Sequence, residues 1–225
     1  MVIFSHRGES LDYTENSMSA FYKAYFDGSS GIEMDIRKTL DNKLVLCHDK
    51  TINRISESKG KVCDMTYDEL LKVDFNGEKI VLLEEVFKFF CNKNIIILAE
   101  IKESGFEQDI INLIKKYNLN NIIISSFSSK ILKKVRELNE NIKIAHLVYY
   151  INDKIILNSI NDKINILACL SSFIDYDDVV SSHENNILVY AWGLKNYKEI
   201  SWLKIIDIDG IIVNSYSKAV NYKNN

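Results

Sequence analysis

Short apolar runs rich in β-branched residues alternate with longer segments of helical periodicity along most of this chain of 225 residues. This alternation is typical of β-α units, in which each strand is followed by a helix that covers one face of a parallel sheet. The sequence predicts strands at Val2 to Ser5, Gly31 to Lys38, Lys43 to His48, Ile95 to Lys102, Asn121 to Ser126, Ile142 to Tyr149, Ile166 to Leu170, Ile187 to Trp192 and Gly210 to Val213. It predicts helices at Ser17 to Phe26, Leu82 to Cys91, Phe106 to Tyr117, Lys130 to Leu138, Asp153 to Ile160, Tyr176 to His183 and Asn196 to Ile206.

The second and third predicted strands are expected to be one extended strand that folds back on itself. Asp41-Asn42 lies between them, and such a pair suits a two-residue hairpin turn with positive φ. With this turn, His48 lies directly opposite Asp35 across the hairpin. The count is then eight parallel strands plus one hairpin.

A polar stretch at about 50–81 interrupts the repeat and is interpreted as an insertion, with a short helix near Thr66 to Val73. No Gly/Ser-rich linker or change of composition divides the chain, so we expect a single domain over residues 1–225. The pattern favours an α/β fold, a (β/α)8 TIM barrel with a β-hairpin extension of strand 2 and a small insertion after it. A doubly wound α/β sheet is the alternative.

Charge and composition exclude several classes of protein. The formal net charge is −3 and the pI is ≈ 5.9, so there is no overall basic footprint for nucleic acid. The chain has no proline, which excludes Pro-rich linkers and polyproline recognition tracts. Its longest apolar runs, such as Ile95 to Ala99, are far shorter than the roughly 20 residues that span a bilayer.

The N-terminus and the cysteines predict a cytoplasmic location. Met1 is followed directly by Val2-Ile3-Phe4, without the basic and long apolar regions of a secretory signal. The four cysteines are scattered and form no Cys-x-x-Cys pair, which argues against a zinc site or a redox motif.

Ionisable residues concentrate at the carboxyl ends of the predicted strands, where (β/α) barrels place their reacting groups. They are His6, Arg7, Glu33, Asp35, His48, Glu100 and Lys102. Glu33 and Asp35 are two residues apart on one strand, so both carboxylates lie on one face with Cα atoms about 6 to 7 Å apart. With Glu100 they form an all-oxygen set that suits one divalent cation, Mg²⁺ or Ca²⁺. Alternatively, Glu33 and Asp35 only pair with Arg37 and Lys102.

His6 and His48 are expected at this same end of the barrel. Two imidazoles beside a phosphodiester can serve as general base and general acid, one for the nucleophile and one for the leaving oxygen. Arg7 and Lys102 add the fixed positive charge that suits a phosphodiester. A glycosidase would need only two carboxylates and would leave the histidines and cations without a role.

Short motifs recur in order along almost the whole chain. They are His6-Arg7-Gly8, Glu15-Asn16-Ser17, Gly31-Ile32-Glu33-Met34-Asp35, Thr39 with Asp41, His48-Asp49, Arg54, Glu69-Leu70, Glu100-Ile101-Lys102, Ser125-Ser126-Phe127, Trp192 and Asp209-Gly210-Ile211-Ile212. Together they resemble the glycerophosphodiester phosphodiesterase family. The resemblance implies a (β/α) barrel that hydrolyses glycerophosphodiesters to sn-glycerol 3-phosphate and an alcohol, with a role in lipid and glycerol metabolism.

By this resemblance the candidate site residues fall into three groups. These are Glu33, Asp35 and Glu100 for the divalent cation, His6 and His48 for acid-base catalysis, and Arg7, Lys102, Glu15 and Trp192 for the substrate. The implied partner is a small-molecule glycerophosphodiester, with no nucleic acid and no membrane span.

Two loops depart from the family pattern at positions where the family usually has proline. Thr14 precedes Glu15-Asn16, and Val213-Asn214-Ser215-Tyr216 follows the last strand. Without a fixed φ, other contacts must hold both loops.

Other interpretations stay open at this point. The same barrel could act on a lysophospholipid or a phosphoinositide-type substrate, or it could bind glycerophosphate ligands without catalysis. The attacking oxygen could belong to water or to the neighbouring glycerol hydroxyl. Packing accounts for Trp192 as well as a substrate contact does. His146 and His183 are expected to be structural or solvated.

Overall fold

The computed structural model describes residues 1–223; residues 224 and 225, the end of the domain predicted over 1–225, lie outside the described residues. The strands are β1 (Val2–Ser5), β2 (Gly31–Lys38), β3 (Leu44–Leu46), β4 (Ile96–Ile101), β5 (Ile122–Ser126), β6 (Lys143–Val148), β7 (Ile166–Leu170), β8 (Leu188–Trp192) and β9 (Gly210–Val213). The α-helices are α1 (Met18–Phe26), α2 (Tyr67–Leu70), α3 (Leu83–Phe90), α4 (Glu107–Lys116), α5 (Ser129–Leu138), α6 (Asp153–Asn161), α7 (Tyr176–Glu184), α8 (Glu199–Ile205) and α9 (Tyr216–Lys223).

The parallel strands close into a barrel. β1 pairs with β2 on one side and with β9 on the other, and β9 to β4 follow in reverse chain order until β4 meets β2. β3 lies outside this ring, antiparallel to the end of β2. The closed ring confirms the predicted TIM barrel, and the doubly wound alternative is wrong because such a sheet stays open.

Side chains on the strands alternate between the barrel interior and the surrounding helices. At the amino-terminal end the interior is filled by apolar side chains, with the rings of Phe4 and Tyr190 5.4 Å apart. A Cβ on Gly31 would lie 2.4 Å from the Phe4 ring, and one on Gly210 would lie 2.8 Å from the Tyr190 ring. Glycine at these two positions therefore makes room for the aromatic floor, above which the interior opens toward the carboxyl ends of the strands.

The hairpin differs from the prediction by one residue. The Thr39 N–H donates to Lys43 O, which leaves a three-residue loop in which Asn42 has a φ of 63°. A three-residue loop with a left-handed third residue is a common hairpin connection, and it shifts the register relative to a two-residue turn. The predicted pairing of Asp35 with His48 is therefore wrong: Cys47 lies opposite Asp35, and its N–H donates to Asp35 O at 3.0 Å.

Residues 50–81 form a small layer against the hairpin. This segment contains α2 and a short 3₁₀ helix at Val62–Asp64. Its apolar side chains, including Ile52, Leu70 and Phe75, pack with Val45 and Cys47 of the hairpin in a separate buried cluster. Burial against β3 thus fixes the insertion beside the carboxyl end of β2.

Two helix predictions needed correction. α9 follows β9 directly and was not predicted, although Ser215 Oγ accepts from the Lys218 N–H as a capping side chain would. α8 begins at Glu199 rather than at Asn196. Among residues 1–223, no helix is both long enough and apolar enough to cross a membrane.

The two loops without the expected prolines are held by polar contacts. The Thr14 hydroxyl donates to Asn76 O, and Thr14 O accepts from Ser17 Oγ at 2.6 Å. The buried Glu9 carboxylate accepts from the Tyr216 N–H at 2.9 Å, which ties the first βα loop to the last. Side-chain hydrogen bonds therefore restrict the conformation of these two loops, as the fixed φ of a proline would.

Candidate active site

A cavity of about 670 Å³ opens at the carboxyl ends of the strands. Charged side chains on or just after β1, β2 and β4 line one side of the cavity, and aromatic side chains at the ends of β5, β6 and β8 line the other. Of the predicted site residues, those that line it are His6, Arg7, Glu33, His48, Glu100, Lys102 and Trp192.

Three buried carboxylates meet on the charged side. Glu33 and Asp35 both project inward from β2, and strand pairing places Asp35 level with Glu100 of β4. One carboxylate oxygen from each residue lies within 4.8 Å of the others. The period of two along β2 and the parallel register between β2 and β4 thus bring the predicted triad together.

The electrostatics of the triad fit an oxygen-ligated cation. Burial and the neighbouring Asp35 and Glu100 carboxylates raise the pKa of Glu33 well above its ordinary value. Burial and Asp35 raise the pKa of Glu100 to about 7. Burial also acts upward on the pKa of Asp35, but Arg7 and Lys102 hold that pKa below its ordinary value. A hard divalent cation would relieve the repulsion that raises the pKa of Glu33 and Glu100.

Two cations lie against these carboxylates. Arg7 Nε is 3.0 Å from Asp35 Oδ2, and the Arg7 backbone N–H donates to Glu33 Oε2 at 3.0 Å. Lys102 Nζ lies 2.7 Å from Glu100 Oε1 and 3.3 Å from Asp35 Oδ1. Of the pairings considered from the sequence, only that of Asp35 with Lys102 occurs; Arg37 binds Glu103 and the His48 carbonyl instead.

The two predicted histidines have different partners. His6 Nδ1 lies 2.7 Å from Asn214 Oδ1, so it donates to a neutral amide oxygen, and His6 Nε2 is 3.9 Å from Glu33 Oε2. His48 Nδ1 lies 2.6 Å from Asp49 Oδ1. Burial lowers the pKa of both imidazoles below the ordinary value, and in His48 the Asp35 and Asp49 carboxylates offset only part of this effect. In each ring Nδ1 is occupied by a hydrogen bond, so Nε2 is the nitrogen that could accept or donate a proton.

Glu15 is not part of the cavity wall. Its carboxylate accepts from Arg7 Nη1 at 3.0 Å and from both terminal nitrogens of Arg54, at 2.8 and 2.7 Å. Arg54 Nε in turn donates to Asp49 Oδ2 at 2.6 Å. Glu15 therefore reaches the site through Arg7, within a chain of ion pairs that ends at Asp49 and His48.

Asn16 belongs to the Glu15-Asn16-Ser17 motif but had no predicted role. It is buried with a φ of 57°, its side-chain amide donates to Asp35 Oδ2 at 2.8 Å, and its Oδ1 accepts from the Asp35 N–H at 3.1 Å. These two bonds fix the orientation of the Asp35 carboxylate. Asparagine is one of the few residues that adopt positive φ readily. This preference is the sequence feature that could have indicated a special backbone position at Asn16.

Three aromatic rings form the opposite side of the cavity. The ring centroids of Phe127, Tyr149 and Trp192 lie 5.4 to 5.7 Å from one another. The Trp192 indole N–H donates to Ala168 O at 2.9 Å, which fixes the plane of the largest ring. Trp192 thus lines the cavity as well as packing against its neighbours. Phe127 and Tyr149 continue the inward alternation of β5 and β6. Their position in the cavity could have been predicted by extending the period of two beyond the end of each strand.

The remaining histidines lie outside the cavity lining. His183 Nε2 is 2.8 Å from Asp209 Oδ2, at the amino-terminal end of β9. His146 lies on β6 and is partly buried, which lowers its pKa. Neither contacts the triad, in keeping with the structural role expected for both.

The comparisons with known proteins agree on one family. The sequence model of the Glycerophosphoryl diester phosphodiesterase family matches residues 6–218. A glycerophosphodiester phosphodiesterase of Caldanaerobacter subterraneus subsp. tengcongensis is 36% identical over 160 residues, covering 65% of this chain and 66% of that protein. The match thus spans just under two thirds of that relative.

Solved structures share the fold over the full length. The crystal structure of a glycerophosphodiester phosphodiesterase from Thermotoga maritima superimposes with a TM-score of 0.85 at 25% identity, covering 100% of this chain and 98% of that chain. A phosphodiesterase from Oleispira antarctica, solved with its product sn-glycerol-3-phosphate, has a TM-score of 0.91 at 19% identity and covers 100% of this chain and 97% of its own.

Proposed function

The chain belongs to the glycerophosphoryl diester phosphodiesterase family, and from this we propose that it hydrolyses glycerophosphodiesters to sn-glycerol 3-phosphate and an alcohol, using a divalent cation and a histidine pair. The observation that carries the proposal is the meeting of three buried carboxylates, two imidazoles and two cations at one cavity. A barrel that only bound glycerophosphate would have no use for two imidazoles with partnered Nδ1 atoms.

Glu33, Asp35 and Glu100 would hold the cation. Their oxygen ligands and their mutual repulsion suit Mg²⁺ or Ca²⁺. When bound, such a cation supplies Lewis-acid neutralisation of the phosphate charge. Arg7 and Lys102 add positive charge on the same side of the cavity, where they would orient the phosphodiester.

The histidines would divide the proton transfers. His6 donates from Nδ1 to a neutral amide oxygen, so its neutral ring offers Nε2 as a general base toward the attacking oxygen. The Asp49 carboxylate offsets part of the burial that lowers the pKa of His48, and it would hold this ring in place as the general acid for the departing alkoxide. The aromatic side of the cavity would then receive the alcohol, away from the Glu33, Asp35 and Glu100 carboxylates.

A direct assay tests this proposal. Purified protein is incubated with glycerophosphocholine and Mg²⁺ or Ca²⁺, and sn-glycerol 3-phosphate is measured enzymatically. We expect turnover that EDTA abolishes and added cation restores. His48→Ala should lower kcat about 10²- to 10⁴-fold, whereas His183→Ala, the matched control away from the cavity, should stay near wild type.

Two results would contradict the proposal. A non-catalytic barrel would be indicated if the protein bound sn-glycerol 3-phosphate but turned over no glycerophosphodiester in the presence of any of several divalent cations. Turnover of lysophosphatidylcholine with none of glycerophosphocholine would indicate the lipid-type substrate instead.

A further inference from the structure

Arg54 lies in the insertion, with about half of its side chain exposed, and yet it makes three short charged hydrogen bonds. Its two terminal nitrogens bind the two oxygens of Glu15 as a fork, at 2.8 and 2.7 Å. Its Nε donates to Asp49 Oδ2 at 2.6 Å. Three of the five N–H donors of the planar guanidinium are therefore engaged at once.

Glu15 provides a fixed anchor for this guanidinium. It is mostly buried, with 16% of its side chain exposed, and it also accepts from Arg7, which is itself held against Asp35. The position of the Glu15 carboxylate is thus set by the first βα loop and by β2. A fork bound to so constrained a carboxylate has one favourable orientation.

Asp49 is the group whose position depends on Arg54. It is more exposed than Glu15, and its two oxygens have separate partners: Oδ1 is 2.6 Å from His48 Nδ1, and Oδ2 accepts from Arg54 Nε. Without Arg54 the carboxylate would lose one of these contacts and could rotate toward solvent. His48 would then lose the acceptor that orients its ring.

We infer that Arg54 is a positioning residue, which carries the fixed geometry of Glu15 to Asp49 and so orients the His48 imidazole toward the cavity. The inference rests on the proposed function in assigning His48 a proton transfer. Ion pairs of partly exposed side chains contribute little to stability, so the effect of losing Arg54 should appear in catalysis and not in folding.

The first measurement does not depend on activity. A low-field Nδ1–H proton resonance of His48, protected by its bond to Asp49, should be visible in the wild-type protein. It should persist in Lys61→Ala, a control that removes a positive charge from the same insertion, and should be lost by exchange in Arg54→Ala. Persistence of this resonance in Arg54→Ala would overturn the inference.

The second measurement is kinetic. We expect Arg54→Ala to lower kcat about 10- to 100-fold with an unchanged melting profile, and Arg54→Lys to recover only part of this loss, because one ammonium cannot replace the fork and Nε together. In a His48→Ala background, and separately in an Asp49→Ala background, Arg54→Ala should have almost no further effect on kcat.

These results separate the two proposals. Wild-type protein without glycerophosphodiester turnover would defeat the proposed function, while the proton resonance would still decide the role of Arg54. An active wild type together with Arg54→Ala within twofold of it, or with equal losses in the wild-type and His48→Ala backgrounds, would defeat only the role given to Arg54.

Discussion

Glu100 is a residue of the triad whose charge changes near neutral pH. Its carboxyl is buried beside Asp35, which raises its pKa from 4.5 to about 7. Because the folded protein holds this proton more tightly than the unfolded chain, the associated stability is fully present below pH 4.5. It is lost as the pH rises toward 7. A divalent cation binds the ionised form, so cation binding should strengthen over the same interval.

This gives a test at the level of one side chain. We expect the rise in melting temperature caused by Ca²⁺ or Mg²⁺ to increase between pH 5 and pH 7.5. At the higher pH a smaller fraction of Glu100 is protonated, so the cation has fewer protons to displace. Glu100→Gln should abolish the cation effect, and Glu57→Gln, which changes an exposed carboxylate in the insertion, should leave it intact. A cation effect independent of pH would contradict the role assigned to the Glu100 proton.

The residues of the site were predictable from sequence to different degrees. Glu33 and Asp35 could be placed on one face because the period of a strand is fixed. Asn214, which binds His6 from the other end of the chain, could not, because its contact depends on barrel closure and not on local pattern. Arg54 and Asp49 were visible as motif residues, but the loop path that joins them is set by tertiary packing of the insertion.

At the level of elements, the alternation of strands and helices favoured the barrel over a doubly wound sheet. The hairpin register was not predictable from this alternation. A two-residue and a three-residue loop are both compatible with Asp41-Asn42, and the choice follows from Asn42 adopting positive φ while Thr39 bonds to Lys43. His48 still lines the cavity because it lies beyond the end of β3. There the direction of a side chain no longer follows the alternation between the two faces of a strand.

The barrel floor gives a prediction for β2. Gly31→Ala places a Cβ against the Phe4 ring, which overpacks the interior and should lower the free energy of unfolding by about 1–3 kcal/mol. Phe4→Leu in the same chain should restore part of this loss by making room. Chemical denaturation measures both effects.

Gly60→Ala serves as the control for the floor. The added methyl group would meet only the Met65 thioether, which is the flexible end of a side chain and can move. A loss of stability at Gly60 equal to that at Gly31 would mean that backbone freedom, and not the Phe4 ring, decides the cost.

At the level of the whole molecule, opposite sides of the barrel supply the two halves of the cavity. Strands from the first part of the chain bring the charged groups, and β5, β6 and β8 bring the aromatic rings. A phosphodiester carries one strongly charged centre and two alcohols of different polarity. We therefore expect phosphate binding and alcohol selectivity to be separable by mutation.

Phe127→Ala tests this separation. Removing a half-exposed ring from the wall should raise KM roughly 10-fold for glycerophosphodiesters with bulky apolar alcohols, because apolar contact is lost, and should change KM less for small alcohols. Phe173→Ala removes a more exposed ring outside the cavity lining and should change neither KM. Equal increases in KM for both classes of alcohol would place the ring effect at the phosphate instead.

The closing seam of the barrel also constrains when the protein becomes active during its own synthesis. His6 and Asn214, which are 208 positions apart, must meet before the first imidazole is oriented, and β1 has no second neighbour until β9 exists. A chain still attached to the ribosome can bring together Glu33, Asp35 and Glu100 long before this seam forms. The proposed cation ligands would thus be available early, whereas the proposed acid-base pair would be complete only after the final strand emerges.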